Sequence, residues 1–328
     1  MPVASGFSGG VSNDKDEGNR VIQVSGLTKY FGEHRAVDQV DFAIERGQVV
    51  GFLGLNGAGK TTILRMLAGD LEPSAGSIVV DGRDLLDHPQ EYRRRVGFLP
   101  ETVPVYPDMT VREYLHYVGA LRGMGGGELA SRVEQVAARV AVADHLDVPI
   151  DNLSHGYTKR VGIASVIVHD PDLVILDEAI SGLDPRQIVD MRSLIAGLAG
   201  DHTVLVSSHI LPEISQTCDE ILVIRDGGLA ARGTEAELMA RFVQGAVATM
   251  QVRGDKDAVQ TALATVEGTK VTFGEDGEEV LEVRIESERD LREELVAACV
   301  KAGIGVRKID MAQGELEAAF LQLSKGAA

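Results

Sequence analysis

Thiols are nearly missing from this chain. Cys218 and Cys299 stand far apart, with no metal-ligand spacing around either. That pattern fits a reduced, cytoplasmic setting. Positive charge is also short: 32 Lys and Arg against 50 Asp and Glu leave a net charge of −18. This argues against a nucleic-acid-binding face, which has to be basic, while leaving room for a local basic patch. Long apolar runs are absent. The longest covers residues 161–168, well short of the ~18–20 residues that span a bilayer. The N-terminus has none of the basic-then-apolar order of a signal peptide. A soluble chain is expected, with any membrane role reached through a partner.

What the chain does have is apolar residues, 44% of 328. That is enough for a sizeable core, and the length suggests two domains, or one large and one small. Residues 1–19 are rich in Gly, Ser, Asp and Asn and are expected to form a disordered leader.

The most specific stretch is Gly54-Leu55-Asn56-Gly57-Ala58-Gly59-Lys60-Thr61-Thr62. It fits G-x-x-x-x-G-K-[ST], the phosphate-cradling P-loop. Glycines at 54, 57 and 59 are expected to take positive φ and bring main-chain N–H groups close to a polyphosphate such as ATP. The following helix adds its free N–H groups and the positive end of its dipole. Lys60 supplies a charge for the β- and γ-phosphates, and the Thr61 hydroxyl is placed to ligate Mg²⁺. Context agrees, since residues 48–53 read as a buried strand and 63–69 as a helix.

Around this motif, strands are expected at residues 21–24, 40–44, 76–82 and 93–101, the last ending at Glu101. Arg93-Arg94-Arg95 reads as a solvated helix end. Residues 102–155 turn helical, with a capping box at Thr110-Val111-Arg112-Glu113 and a glycine-rich break at 123–127. Strands resume at 173–176, 203–206 and 221–224 with helices between. The expected fold is α/β, a P-loop NTPase domain over residues 20–244 with a helical insertion and a largely parallel sheet covered on both faces. Residues 245–328 follow a different order: a strand at 247–252, a helix at 255–265, strands at 270–273 and 280–285 around a turn at 274–277, a helix at 287–301 and a strand at 306–309, with a last helix at 316–323. This is the ferredoxin-like split pattern, a small α+β accessory domain.

Leu173-Val174-Ile175-Leu176-Asp177-Glu178 is an apolar strand delivering two carboxylates at its C-terminal end, where open α/β sheets build their sites. Asp177 would hold Mg²⁺, as the Walker-B acid of P-loop NTPases does, and Glu178 is placed to take a proton from an attacking water. Just before that strand, Leu153-Ser154-His155-Gly156-Tyr157 resembles the LSGGQ signature of ATP-binding-cassette (ABC) ATPases. His155 replaces a glycine of that pattern and Tyr157 its final glutamine. Ser154 is a hydroxyl donor at a helix start and Gly156 lets main-chain N–H groups approach an anion. Ser154 would equally serve as an ordinary N-cap.

Other stations resemble the same family over about residues 21–235. By that resemblance Phe31, with its neighbour Tyr30 as the alternative, stacks on adenine, Ser181-Gly182-Leu183-Asp184 forms the D-loop, and His209 contacts the γ-phosphate. Two positions depart from the pattern. Glu101 stands where the family has Gln, and Ala179-Ile180 where it has Pro-Thr. Leu99-Pro100-Glu101 followed by Tyr106-Pro107-Asp108-Met109-Thr110 is similar to ABC-2-type exporters, in the gliding-motility and nitrous-oxide-reductase-maturation branch. The tail from Leu316 to Leu321 also looks like that branch. The resemblance implies an ATPase that pairs head to tail with a second copy or a paralogous cassette. Ser154 and Gly156 of one chain would close over ATP and Mg²⁺ held by the other. Thr61, Asp177 and Glu101 would face the metal. The pair would drive separate integral membrane permease subunits from the cytoplasmic face, with no nucleic acid involved. A soluble ABC ATPase working on ribosomes or DNA is the alternative.

Overall fold

The computed structural model describes residues 20–242, 246–274, 280–287 and 289–311. The expected leader at 1–19, the expected boundary at Gly245, most of the turn at 274–277 and the expected helix at 316–323 lie outside those residues. The contacts divide the chain into two compact units, one through Arg232 and one from Gly233, whereas the sequence reading set the boundary near residue 245.

In the first unit, a hairpin of β1 (Arg20–Phe31) and β2 (His34–Glu45) comes first. Both strands are longer than the alternation in the sequence suggested. They pair antiparallel, with Ile22 opposite Ile44 and Val24 opposite Phe42. Val37, Val40, Phe42 and Ile44 point into the core while Asp41 and Glu45 face out, the alternation of a sheet solvated on one side. Together with β4 (Ala75–Val80) and β5 (Arg83–Asp84) they form a four-stranded sheet of order β2-β1-β4-β5. This corrects the expectation of one mostly parallel sheet: the hairpin strands cannot be parallel neighbours, and they build a sheet of their own.

The second sheet contains β3 (Val49–Leu53), β6 (Val96–Leu99), β7 (Leu173–Leu176), β8 (Thr203–Ser208), β9 (Glu220–Arg225) and β10 (Gly228–Gly233). Its order is β10-β9-β3-β8-β7-β6. The pairs β3/β9, β3/β8, β7/β8 and β6/β7 are parallel. Every residue of β3, β7 and β8 is buried, as expected for strands covered on both faces.

Helix α1 (Lys60–Leu67) follows β3, and α2 (Pro89–Arg94) precedes β6. The fully buried Tyr92 of α2 donates its hydroxyl to Leu67 O at 2.5 Å. The three arginines end α2: Arg93 donates to Gly69 O at 3.1 Å, and Arg95 bridges Asp172 at 3.0 Å and Asp81. The helical insertion holds α3 (Val111–Leu121), with both hydrogen bonds of the Thr110–Glu113 capping box formed, and α4 (Gly126–Arg139). Gly126 and Gly127 lie in the first turn of α4, so the break read at 123–127 is shorter than expected. Then come α5 (His155–Ile167), α6 (Pro185–Ala196) and the short α7 (Leu211–Ser215).

The second unit begins with α8 (Glu235–Phe242). β11 (Ala246–Arg253), α9 (Lys256–Leu263), β12 (Thr269–Phe273), β13 (Leu281–Ser287), α10 (Arg292–Lys301) and β14 (Gly305–Met311) follow. Its sheet has the order β12-β13-β11-β14, with all three pairs antiparallel. Residues 287–291 were expected to open α10, but β13 runs through Ser287 and the helix starts at Arg292. Met250, Val252, Val259, Leu263, Val283, Ile285, Leu295 and Cys299 make a core of its own.

Candidate active site

Four neighbouring strands of the parallel sheet, β3, β8, β7 and β6, end on one side. Each hands over to a residue singled out above: the Gly54–Lys60 loop after β3, His209 after β8, Asp177 and Glu178 after β7, and Glu101 after β6. A cavity of about 400 Å³ opens there. Its lining includes Phe31, Asn56, Gly57, Gly59, Lys60, Thr61, Thr62, Glu101, Glu178 and His209.

The loop takes its shape from its glycines, though not quite as expected. Gly57 and Gly59 are left-handed, with φ of 84° and 103°. Gly54 is not. A Cβ there would fall 2.6 Å from the main-chain oxygen of Ile224 on β9, so Gly54 is needed for close packing against the next strand and not for turning. Ala58 spends its groups on the fold: its N–H donates to Leu55 O at 3.1 Å and its carbonyl accepts from Gly227 N–H at 3.0 Å.

Lys60 is 6% exposed. It donates to Gly54 O at 2.6 Å and Leu55 O at 3.3 Å, and lies 3.8 Å from Glu178 Oε1. Burial pulls its pKa below the usual lysine value, and the carboxylates of Glu178 and Asp177 oppose that. Glu178 is 7% exposed and left-handed, at φ 51°, which is uncommon for a residue with a side chain. His209 Nδ1 lies 3.1 and 3.2 Å from its two carboxylate oxygens. Asp177 is 1% exposed and does not line the cavity. Its Oδ1 accepts from Ser207 Oγ at 2.5 Å, and that same oxygen of Ser207 accepts from Glu178 N–H at 2.9 Å. One buried serine therefore holds both carboxylate residues. No spacing in the sequence singled Ser207 out, because the contact joins two strands 30 residues apart.

Phe31 lines the cavity with its ring half exposed, and Lys29 Nζ sits 5.5 Å from the ring centre; Tyr30 is not in the lining. Leu55 of the P-loop and Ser181 of the expected D-loop line it too, as do His34 and Ala36, which were not singled out for the site. Besides Gly54, Ala58 and Asp177, three more expected residues lie off this cavity. Ser154 is the N-cap of α5, accepting from Tyr157 N–H at 3.5 Å. Gly156 packs so that a Cβ would meet the Gln187 side chain at 2.9 Å. Asp184 caps α6 through a box with Gln187, accepting from Arg186 N–H at 3.0 Å and Gln187 N–H at 2.9 Å.

A strand-edge loop of left-handed glycines, a buried ammonium and a base-like carboxylate in one cavity is the equipment for breaking a phosphoanhydride bond. Among the described residues no helix is long and apolar enough to cross a membrane. The pattern of the ABC transporter family matches residues 37–181. The chain is 41% identical to the ABC transporter ATP-binding protein NatA of Bacillus subtilis over 61% of this chain and 82% of that one. It is 36% identical to the Nod factor export ATP-binding protein I of Ralstonia nicotianae over 74% and 76%. It is 32% identical to the bacitracin transport ATP-binding protein BcrA of Bacillus licheniformis over 93% and 98%. Among solved structures, an ATP-binding subunit of an ABC transporter matches with a TM-score of 0.61 at 29% identity, over 68% of this chain and 93% of that one. The chain thus belongs to the ABC transporter family as an ATP-binding subunit, an enzyme that hydrolyses ATP coupled to transport.

Proposed function

We propose that this chain is the ATPase subunit of an ABC-2-type exporter, in the gliding-motility and nitrous-oxide-reductase-maturation branch. It pairs head to tail with a second copy or a paralogous cassette and drives separate membrane permease subunits from the cytoplasmic face. The observation that carries the reading is the split in the site. Lys60, Glu101, Glu178 and His209 converge on one cavity, while Ser154, Gly156 and Asp184 of the same chain stay off it. Those three complete the site only when a second chain supplies them. The exporter reading draws on relatives whose names include bacitracin transport and Nod factor export.

In this reading the N–H groups of Asn56, Gly57 and residues 59–62 and the Lys60 ammonium bind the phosphates, and Phe31 lies under the base. Thr61 and Glu101 in the cavity lining, with Asp177 acting from behind it through water, would offer Mg²⁺ the hard oxygen donors that suit it. The metal supplies neutralisation of phosphate charge when bound. Glu178 accepts the proton of the attacking water, and His209 orients the carboxylate and meets the γ-phosphate. The second unit is a ferredoxin-like accessory module, supported by its βαββαβ order and by β11 lying between β13 and β14. The ATP-binding domain covers residues 20–244 and the accessory module residues 245–328.

The partner is tested by solubilising membranes that contain the tagged full chain. Co-purification with a polytopic membrane protein is expected, and recovery with ribosomes or RNA instead would overturn the exporter reading. Glu101 gives a finer test. An amide and a carboxylate oxygen both serve Mg²⁺, but only the carboxylate adds negative charge beside the γ-phosphate, holding metal and repelling phosphate at once. Glu101→Gln is therefore expected to change turnover by less than about tenfold, and Glu101→Ala to raise the Mg²⁺ requirement. Superimposable Mg²⁺ titrations for wild type and Glu101→Ala would remove Glu101 from the site.

A further inference from the structure

Helix α5 carries a lysine that the reading of the site leaves unused. Lys159 is 3% exposed, a position where a charged group is costly unless it is paired. Its Nζ donates to the main-chain carbonyl of Glu178 at 2.8 Å. Burial lowers its pKa, opposed in order by the carboxylates of Glu101, Glu178 and Glu213. An aliphatic side chain would fill this space without that cost, so the ammonium has to be explained by what it holds.

It holds a strained residue. Glu178 sits in the left-handed region at φ 51°, a conformation that persists only where the surroundings enforce it. Both ends of Glu178 are fastened. Ser207 Oγ accepts from its N–H at 2.9 Å, and its carbonyl accepts from Ser181 N–H at 3.2 Å as well as from Lys159. Of these fastenings Lys159 alone reaches from α5, the helix that Ser154 caps. If the main chain of Glu178 relaxed to right-handed values, the carboxylate would swing away from Lys60 and His209, which it now meets at 3.8 and 3.1 Å.

We propose that Lys159 is a positioning residue for hydrolysis: its ammonium grips the carbonyl of Glu178 and fixes the left-handed backbone that aims the carboxylate into the phosphate cavity. This role requires that Glu178 be the base proposed above. Lys159 touches no reacting atom and acts through Glu178 alone.

The test compares wild type, Glu178→Gln, Lys159→Met, Lys159→Gln and the double variant Glu178→Gln/Lys159→Met, each as full chain with Mg²⁺ and ATP. Phosphate release, binding of a fluorescent ATP analogue and thermal midpoint are read on the same preparations. Methionine stops one atom short of the lysine Nζ and removes the donor, while Ser181 still satisfies the carbonyl. Lys159→Met is expected to lower kcat about 10- to 100-fold, the scale of a misplaced catalytic group, with KM and thermal midpoint near wild type. Glutamine has the length of methionine but keeps an N–H donor, and is expected to restore kcat to within about threefold of wild type. In the Glu178→Gln background, Lys159→Met is expected to add nothing, because residues that act as one unit are not additive.

An inactive Glu178→Gln beside a Lys159→Met with wild-type kcat overturns the role of Lys159 and leaves Glu178 standing. A Glu178→Gln that turns over normally overturns the reading of the base itself. If Lys159→Met and Lys159→Gln lose kcat and thermal midpoint alike, the lysine is packing only, and the positioning role is again overturned.

Discussion

Glu178→Gln is expected to lose ATP hydrolysis by roughly 10²–10⁴-fold, the usual contribution of a positioned general base, while still binding ATP. The substitution keeps the shape of the side chain and its contacts with the cavity wall, but an amide cannot take a proton from water. The surroundings make the effect specific. Glu178 is nearly buried, at φ 51°, with His209 Nδ1 at 3.1 Å and Lys60 Nζ at 3.8 Å. Asp177, the other carboxylate at the end of β7, is turned into the fold and bonded to Ser207, so it is not free to replace Glu178 as base. In the proposed pairing, blocked chemistry with ATP bound should keep two chains together, and gel filtration with ATP should then show a dimer. A variant that hydrolyses at the wild-type rate would sink the assignment.

Ser154→Ala separates a cap from a ligand. As the N-cap of α5 the hydroxyl accepts from Tyr157 N–H, but at 3.5 Å, longer than the usual range. The cap is therefore weak, and its loss should cost at most about 1 kcal/mol of stability. If the hydroxyl instead meets the γ-phosphate held by a partner chain, turnover should fall by roughly 10²-fold, as when one donor to a developing charge is removed, while ATP affinity of the monomer barely moves. Collapsed turnover with a nearly unchanged melting temperature is the expected pair of results. A lowered melting temperature with intact turnover would make Ser154 only a cap.

Much of this protein was legible in its sequence because the informative features are local. The P-loop is nine consecutive residues, and the Asp177–Glu178 pair follows directly on an apolar strand. The capping box at Thr110–Glu113 and the alternation of β2 depend on neighbours within one turn or one strand. The βαββαβ order of the second unit could likewise be read from periodicity and turns, down to the error of a few residues at the start of α10. The sequence by itself therefore determined that a phosphate-binding loop and two carboxylates lie in one α/β domain, and that a small unit follows.

The tertiary structure decided what those groups face. Splitting the strands into an antiparallel sheet and a largely parallel one depends on partners chosen across the chain, as where β1 pairs with β4, Ile22 lying opposite Val80. Gly54 was read as a turn residue, but its constraint is the oxygen of Ile224, which arrives only when β9 docks beside β3. Ser207 and Lys159 carry no motif, and each matters through one hydrogen bond to Glu178 from a distant element. The physical reason is range. A helix, a cap or a phosphate loop is written in residues that touch because they are neighbours in sequence. The aim of a carboxylate and the charge state of a buried lysine depend on which distant groups the fold brings within about 4 Å, where Coulomb and hydrogen-bond energies are large.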